Sequence, residues 1–260
     1  MLLAIDIGNT NMEFGIFSNG KLTANFRLVT NRHITSDEIG LLMRNFFEIH
    51  GILYTEIHQV MIASVVPQVV FSVSNAMRKY LSLEPFIIGE NCEVPIENFY
   101  SNPKEVGADR LVNAYAAHRA YGGSLIVVDF GTATTFDVVN ENGAYEGGCI
   151  FPGIQISMEA LNHNAAKLPR VEITSPSRVV AKDTVSSMQA GAICGFVGAS
   201  VYTITQMKRE LGCPIQVIAT GGLAGLIHQN TDVIDYVDKS LTLRGLYEIW
   251  RQLYGKSTPE

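Results

Sequence analysis

The chain has no run or stripe of basic residues. Its 19 Lys and Arg are scattered among 25 Asp and Glu, which gives a formal net charge of −6. Proteins that hold nucleic acid by its phosphates need clustered positive charge, so no nucleic-acid partner is expected. Hydrophobic residues make up 47% and charged residues 17% of the 260 residues, a composition that favours a large folded core over disorder.

Cysteines are few and far apart. Cys92, Cys149, Cys194 and Cys213 form no closely spaced pair, and the six His include no His-x-His or His-x-x-x-His pair. Zinc sites built from such pairs are therefore not expected. An acidic, cysteine-poor chain whose first residues include no basic segment fits the reducing cytoplasm, and it predicts no signal peptide.

No apolar run reaches the roughly 20 residues that a membrane-spanning helix needs. The most apolar stretch, residues 190–204, soon meets the polar segment Gln206-Met207-Lys208-Arg209-Glu210. Its many small residues suit close helix packing. The sequence therefore predicts a buried helix here and no membrane partner.

The order of predicted elements repeats once along the chain. The first half has strands at 2–5, 13–17, 22–28, 60–65 and 86–88 and helices at 35–50 and 67–81. The second half has strands at 124–130, 134–139, 145–151 and 214–220 and helices at 153–168, 188–211 and 240–253. A helix at 107–121 joins the halves, and each half has an Asn-Gly hairpin turn. The repeat predicts an α/β protein with lobes 1–115 and 116–260, whose polar tail, 255–260, is frayed.

Two loops carry residues expected of a phosphate site. Asp6-Ile7-Gly8-Asn9-Thr10-Asn11 follows the first strand, and Asp129-Phe130-Gly131-Thr132-Ala133-Thr134-Thr135 follows its counterpart. Each supplies a carboxylate, a glycine that lets backbone N–H groups approach a phosphate, and hydroxyl or amide side chains. Asp-x-Gly after a strand is also an ordinary turn. Its presence at matching positions of both halves favours a clamp for a polyphosphate and its cation.

A third loop, Thr220-Gly221-Gly222-Leu223-Ala224, follows the strand at 214–220. It could place its backbone against adenine or ribose, or be a plain strand-to-helix turn. Together the three loops resemble the phosphate-1, phosphate-2 and adenosine motifs of the acetate and sugar kinase, heat-shock-70 and actin superfamily. That resemblance implies an actin-like ATPase fold with two ribonuclease-H-like lobes and duplicated mixed sheets, and leaves the substrate open.

Gly107-Ala108-Asp109-Arg110 stands at the start of the joining helix. A carboxylate there can accept a hydroxyl proton, a guanidinium can hold a carboxylate or phosphate, and the helix N-terminus adds N–H donors. Taken alone, the motif fits helix capping by Asp109 beside a solvated Arg110 better than catalysis.

The full set of motifs, with Gly147-Gly148-Cys149-Ile150-Phe151-Pro152-Gly153 among them, resembles that of the type III pantothenate kinases over essentially the whole chain. The resemblance implies ATP-dependent phosphorylation of pantothenate to 4′-phosphopantothenate, the first step of coenzyme A biosynthesis. Asp109 would be the general base. The ATP-binding residues would be Asp6, Ile7, Gly8, Asn9, Thr10, Asn11, Met12, Glu13 and Thr132.

The same resemblance implies the remaining ligands. Asp129 would coordinate a monovalent cation, potassium or ammonium, and magnesium would bridge the ATP phosphates mostly through water. The substrate-binding residues would be Tyr100, Gly107, Ala108, Asp109, Arg110 and Thr184. Because Thr184 closes the pantothenate site from the neighbouring subunit in the family, a homodimer with the substrate site at its interface is implied.

Some alternatives remain open at this point. The family pattern has Gly where Ala181 stands. Tyr100 could simply cover the core, Thr184 could cap the following helix, and Asp183 is expected to be a solvated loop charge. Rival functions are a sugar or acetate kinase, a phosphohydrolase, a regulatory nucleotide-binding protein and a filament-forming actin relative, the last being usually longer.

Overall fold

The computed structural model describes residues 1–255, which form two compact units. Unit 1 comprises Met1–Ile96, Ser101–Ala116 and the described residues from Ser240 onward. Unit 2 comprises Glu97–Tyr100 and Ala117–Lys239. The predicted tail, residues 255–260, lies outside the described residues except for Gly255. The predicted lobes, 1–115 and 116–260, remain a prediction; the unit division differs from them chiefly by adding the last helix to unit 1.

Each unit contains one five-stranded sheet. The strands are β1 (Leu2–Ile7), β2 (Asn11–Ser18), β3 (Lys21–Val29), β4 (Gln59–Ser64) and β5 (Phe86–Ile87) in unit 1, and β6 (Leu125–Phe130), β7 (Ala133–Val139), β8 (Tyr145–Pro152), β9 (Gln216–Thr220) and β10 (Tyr236–Val237) in unit 2. The helices are α1 (Ser36–His50), α2 (Pro67–Ala76) and α7 (Leu241–Tyr254) in unit 1, α4 (Ile154–Asn164), α5 (Thr184–Leu211) and α6 (Ala224–His228) in unit 2, and α3 (Ala108–Tyr121), whose residues divide between the units.

The two sheets share one topology. Unit 1 has the strand order β3-β2-β1-β4-β5, and unit 2 has the equivalent order β8-β7-β6-β9-β10. In each, the first three strands form an antiparallel meander and the last two run parallel to the first strand. The predicted α/β class with duplicated mixed sheets is confirmed.

Local sequence explains where the elements begin and turn. Asn19 and Gly20 have positive φ angles of 48° and 81°, which a tight hairpin between β2 and β3 requires. Thr35 caps α1, since its side chain accepts from the Glu38 N–H and the Glu38 side chain accepts from the Thr35 N–H. Pro67 stands in the first turn of α2, where its missing N–H costs no hydrogen bond.

Several boundaries differ from those predicted. Helix α2 ends at Ala76 and continues as a π-helical turn, Met77–Leu81. Helix α4 ends four residues earlier than expected, at Asn164. Helix α5 begins four residues earlier, at Thr184, because Asp183 Oδ1 accepts from the Ser186 N–H and caps it. The short elements α6 and β10 were not predicted.

The sheet of unit 1 is covered on both faces. Apolar residues of α1 and α2, such as Met43 and Val69, cover one face. Val112 of α3 and Leu243 of α7 cover the other face, where they pack with Ala4 of β1. Helices α3 and α7 pack closely. A Cβ on Gly245 of α7 would lie 2.6 Å from Val112 Cγ1 of α3. This contact fixes the helix that begins with the Gly107–Arg110 motif.

Helix α5 is not the buried helix that was predicted. Of its 28 residues, six are buried: Met188, Ala190, Ala192, Ile193, Ser200 and Ile204. Apolar composition suits both a core helix and one that awaits a partner, so composition alone could not distinguish the two. Among residues 1–255, α5 is the one helix long and apolar enough to span a membrane by length and composition, a test that core helices also pass.

Candidate active site

The loop after β1 is a tight, pinned turn. The Gly8 N–H donates to the Asn11 carbonyl at 3.0 Å, and a Cβ on Gly8 would lie 3.1 Å from that oxygen. Thr30, the residue after β3, holds the loop, since its hydroxyl donates to the Gly8 carbonyl at 2.6 Å and its N–H to the Thr10 carbonyl at 2.9 Å. Asn9, Thr10 and Asn11 are exposed. The loop therefore presents amide and hydroxyl groups on a fixed backbone, as a phosphate site requires.

The predicted ATP-binding residues differ in what they expose. The side chains of Ile7 and Met12 are fully buried in the core, so only their backbone could meet a ligand. Strict alternation along β1 and β2 would have predicted this burial. Glu13 lies directly opposite Asp6 in the β1–β2 register. Its carboxylate pairs with Arg27 at 3.1 Å and accepts from Asn25 at 3.2 Å, so it is held on the sheet.

The Gly107–Arg110 segment lies beside the end of β4. A Cβ on Gly107 would lie 3.7 Å from Val65 Cγ1, and the Val65 N–H donates to the Ile7 carbonyl at 3.1 Å. Strands β1 and β4 are parallel neighbours, so their carboxyl ends meet at one edge of the sheet. Asp6 also shares the sheet face of Ala4, which the helices α3 and α7 cover. Unit 1 thus brings the start of α3 to the edge that carries the Asp6 loop.

The Asp109 carboxylate folds back over the start of α3. Its Oδ1 accepts from the Arg110 N–H at 2.8 Å and would lie 2.5 Å from a Cβ on Gly107. Any larger residue at position 107 would displace it. Arg110 is 8% exposed, so the alternative of a solvated arginine is wrong. A buried guanidinium and a half-exposed carboxylate at a helix N-terminus suit anion binding and proton acceptance.

In unit 2, the loop after β6 is enclosed by backbone. Asp129 lies opposite Thr135 of β7 and Thr220 of β9. A Cβ on Gly221, whose φ is +90°, would lie 2.5 Å from Asp129 Oδ1 and 2.7 Å from the Phe130 carbonyl. The glycine after β9 is therefore required for the approach of the two loops. The structure brings the predicted second and third motifs together.

The Thr132 backbone packs against Gly153, the residue that precedes α4. Its carbonyl accepts from the Gly153 N–H at 3.1 Å, and a Cβ on Gly153 would collide with that carbonyl. Gly153 is the N-cap residue of α4 and has no side chain to cap the helix. The Thr132 loop thus sits at a helix N-terminus, where backbone N–H groups favour anions.

Tyr100 belongs to unit 2, while the Gly107–Arg110 motif belongs to unit 1. The segment Glu97–Tyr100 runs along the start of β8. The Tyr145 N–H donates to the Glu97 carbonyl at 2.8 Å, and the Phe99 N–H donates to the Tyr145 carbonyl at 2.9 Å. The Tyr100 ring is partly exposed and its centroid lies 6.3 Å from that of Tyr145. Tyr100 therefore offers one ring face on a firmly held segment.

Thr184 is the first residue of α5 and is exposed. Asp183 is exposed, as expected of a solvated charge, and it also caps the helix, so Thr184 is not the cap. The backbone hydrogen bond from Ser186 holds the pKa of Asp183 below its ordinary value. Thr184, Ala181 and Lys182 line a cavity of about 960 Å³ between α4 and α5, whose other walls are largely apolar.

These arrangements agree with what the chain resembles. A family model described as type III pantothenate kinase matches residues 2–206. A type III pantothenate kinase of Bacillus cytotoxicus is 47% identical over 252 residues, which are 97% of this chain and 96% of that relative. The chain belongs to the type III pantothenate kinase family.

Solved structures show the actin-like ATPase fold. A polyphosphate/ATP-glucomannokinase of Arthrobacter sp. strain KM has a TM-score of 0.51 at 15% identity, covering 96% of this chain and 98% of that one. A Campylobacter jejuni chain described within the Baf family of transcriptional activators has a TM-score of 0.60 at 20% identity, covering 96% and 98%. At these identities the likeness concerns the fold alone.

The two cations that the family implies can be tested against the residues present. Within residues 1–255, no group of three or more His, Cys, Asp or Glu could hold a metal ion. Magnesium keeps much of its water and binds through one or two carboxylates plus phosphates, so the single carboxylate Asp6 beside its loop fits it. Asp129, with the Phe130 carbonyl nearby, offers the oxygen ligands that a potassium ion accepts.

Two residues under Tyr100 were missed from the sequence. Asp137 of β7 is 1% exposed, and Tyr145 of β8 is fully buried. The Tyr145 hydroxyl donates to Asp137 Oδ1 at 2.8 Å. A carboxylate inside the apolar segment Phe136-Asp137-Val138-Val139 could have identified the pair, because charges are rarely buried without a purpose.

Proposed function

We propose that the chain transfers the terminal phosphoryl group of ATP to the primary hydroxyl of pantothenate, which gives 4′-phosphopantothenate and ADP. The observation that carries this proposal is the position of Gly107–Arg110 at the β1–β4 edge, beside the Asp6 loop. Placing a proton acceptor and a phosphate loop at one edge suits phosphoryl transfer, which needs alignment and charge stabilisation more than covalent chemistry.

Asp109 is the general base of the proposed reaction. Its carboxylate accepts the hydroxyl proton of pantothenate while the hydroxyl oxygen bonds to the γ-phosphorus of ATP. The bond between that phosphorus and the bridging oxygen breaks, and ADP leaves with the electron pair. Gly107 keeps room for the carboxylate, since a Cβ there would lie 2.5 Å from Asp109 Oδ1.

The ATP phosphates are bound by the loop from Asp6 to Glu13 and by Thr132. The exposed amide and hydroxyl side chains of Asn9, Thr10 and Asn11 contact phosphate oxygens, while Ile7 and Met12 contribute only backbone groups. Asp6 would hold magnesium, and Asp129 would hold potassium or ammonium. When bound, these cations offset the negative charge of the phosphates.

Pantothenate is bound by Tyr100, Gly107, Ala108, Asp109 and Arg110. The guanidinium of Arg110, which follows Asp109 at the start of α3, binds the substrate or the transferred phosphoryl group. Thr184 closes the site from a second copy of the chain.

The homodimer is supported by the surface of α5. Gly191, Gly195 and Gly198 have open space where a Cβ would stand, and Val185 and Tyr202 are 43% and 69% exposed. A helix with small residues in open space and exposed apolar side chains is suited to close packing against another helix. Size measurement by light scattering across a range of concentrations tests the dimer. We also propose a cytoplasmic location, in keeping with the acidic charge and the low cysteine content.

The experiment that tests the proposed activity gives the purified protein ATP, magnesium and one acceptor at a time. Pantothenate, glucose and acetate are the acceptors, each with potassium, ammonium or sodium chloride, and the products are identified by mass. We expect phosphorylated pantothenate with potassium or ammonium and little with sodium alone. ATP loss with no phosphorylated acceptor would instead indicate a phosphohydrolase. ATP binding without turnover would favour a regulatory protein.

A further inference from the structure

The buried carboxylate of Asp137 is the centre of a hydrogen-bonded chain in unit 2. Its Oδ1 accepts from the Tyr145 hydroxyl at 2.8 Å, and its Oδ2 accepts from the Thr135 hydroxyl at 2.9 Å. Asp137 is 1% exposed and Tyr145 is fully buried. Hydrogen bonds to a buried carboxylate are stronger than those between neutral groups, so this chain fixes the position of Tyr145.

Tyr145 in turn carries the segment Glu97–Tyr100. Its backbone N–H and carbonyl bond to Glu97 and Phe99, so the segment follows the start of β8 like a short added strand. Asn98 Oδ1 accepts from the Tyr100 N–H at 3.0 Å, which tightens the last residues of the segment. The position of Tyr100 therefore depends on where the Tyr145 backbone lies.

The Tyr100 ring rests on a seat formed by two residues of β8. Its centroid lies 6.3 Å from that of Tyr145, with the rings tilted by 51°. A Cβ on Gly147 would lie 3.7 Å from the Tyr100 ring. Gly147 has a φ of +131°, which side-chain-bearing residues rarely adopt. The seat thus consists of the Tyr145 ring, which Asp137 holds, and the Gly147 backbone, which carries no side chain.

The hydrogen-bonded chain through Asp137 also begins next to Asp129. Thr135 lies directly opposite Asp129 in the β6–β7 register, and Asp137 lies on the same sheet face, two residues further along β7. Strand β7, which holds Tyr145 through Asp137, is thus paired with β6, the strand that carries the proposed cation ligand Asp129.

We propose that Asp137 is a positioning residue for pantothenate, acting through Tyr145 on the ring of Tyr100. This inference rests on the proposed function, because it takes Tyr100 to be a substrate contact. Loss of the Asp137 carboxylate loosens the Tyr145 ring and backbone, and with them the seat of Tyr100. The consequence falls on pantothenate binding and not on the ATP loops.

The test is a double-mutant cycle on the full-length protein. The Michaelis constants for pantothenate and ATP are measured for the wild type, Asp137→Asn, Tyr100→Ala and the double variant. We expect Asp137→Asn to raise the pantothenate constant about tenfold, the factor that corresponds to one weakened hydrogen bond to a charge, with the ATP constant unchanged. In the Tyr100→Ala background the same substitution should have almost no effect, because the seat is already empty.

Tyr145→Phe is the second variant, and it should reproduce the effect of Asp137→Asn in both backgrounds even if that variant does not fold. Tyr121→Phe is the matched control, because it also removes a tyrosine hydroxyl that faces a carboxylate in unit 2, Asp238 at 3.5 Å. It should leave both constants unchanged.

Equal increases in both constants, or the same factor with and without Tyr100, would overturn the role of Asp137 and indicate general structural damage. Absence of phosphorylated pantothenate with the wild type would overturn the proposed function itself. The two failures are therefore distinct.

Discussion

Asp6 and Asp129 occupy the same position in two sheets of the same topology, yet their surroundings differ. Asp6 lies opposite Glu13 and Ala63, whereas Asp129 lies opposite Thr135 and Thr220. One residue further along the parallel neighbour, unit 1 has Ser64 and unit 2 has Gly221. In unit 2 a Cβ at that place would strike the carboxylate, so Asp129 is walled by bare backbone.

From this difference we propose that the two copies of the unit have different tasks. The loop of unit 1 exposes side chains and lies beside the start of α3, where Asp109 stands. In unit 2 two glycines, Gly131 and Gly221, lie against one carboxylate, that of Asp129. A side-chain-rich edge suits reaction and substrate contact, and a backbone-walled carboxylate suits a bound cation.

The largest effect is expected from Asp109→Asn, which removes the proposed proton acceptor of unit 1 and keeps its shape. Turnover should fall by about 10²–10⁴-fold, the usual contribution of a general base, while ATP binding measured by calorimetry stays unchanged. Asp37→Asn is the control, because Asp37 is likewise an acidic residue in the first turn of a helix in unit 1 and pairs with Lys79 on the surface. Near-native turnover of Asp109→Asn would show that Asp109 is not the general base.

Gly221→Ala should strain unit 2 severely. The new methyl group would lie 2.5 Å from Asp129 Oδ1, at a φ of +90° that alanine rarely adopts. Overpacking and backbone strain together should cost about 3 kcal/mol of unfolding free energy, measured by urea denaturation. Gly222→Ala, where nothing lies within 4 Å, should be tolerated. Equal losses of unfolding free energy in Gly221→Ala and Gly222→Ala would show that the close approach of Gly221 to Asp129 is not what distinguishes unit 2.

A glycine-to-alanine change in the loop of unit 1, at the glycine two residues after Asp6, should be milder than Gly221→Ala. A Cβ on Gly8 would lie 3.1 Å from the Asn11 carbonyl, a contact that a small shift of the loop relieves. Gly8→Ala should therefore cost about 1 kcal/mol or less by the same denaturation measurement. A loss as large as that of Gly221→Ala would mean that both loops are equally walled.

The smallest effect concerns the cap of α5 in unit 2. The hydrogen bond from Ser186 lowers the pKa of Asp183 in the folded state, so the charge of Asp183 stabilises the fold above its unfolded pKa. That stabilisation is lost as the pH falls through the folded pKa. Asp183→Asn keeps a capping side chain without the charge, so it should melt slightly lower than the wild type at pH 7 and equally at the acidic end. A difference in melting temperature that is independent of pH would contradict the assigned charge effect.

Much of the fold follows from local patterns in the sequence. The Asp-terminated strands and the turns at Asn19-Gly20 and Asn142-Gly143 predict the duplicated meanders, because hairpin chemistry and alternation are local. The cover of β1 by the distant helix α7 depends on contacts between residues far apart in the chain, which no local pattern specifies. The exposure of α5 was mispredicted for the same reason.

The candidate site was predicted in its motifs and missed in its supports. Motifs assign Asp6, Asp109 and Asp129 because these residues lie near the carboxyl ends of strands or in the first turn of a helix. Asp137 and Tyr145 lie inside strands, where side chains are ordinarily structural, so their partnership becomes visible only once β7 and β8 are in register. Register is set by the tertiary fold rather than by either strand alone.

The most direct test of the division between the two units compares Asp6→Asn with Asp129→Asn. The rate of pantothenate phosphorylation is measured against potassium at saturating magnesium, and against magnesium at saturating potassium, for both variants and the wild type. We predict that Asp129→Asn loses the potassium response and keeps the magnesium curve, while Asp6→Asn shifts the magnesium curve and keeps the potassium response. Identical shifts in the two variants, or an unchanged potassium response in Asp129→Asn, would contradict the division.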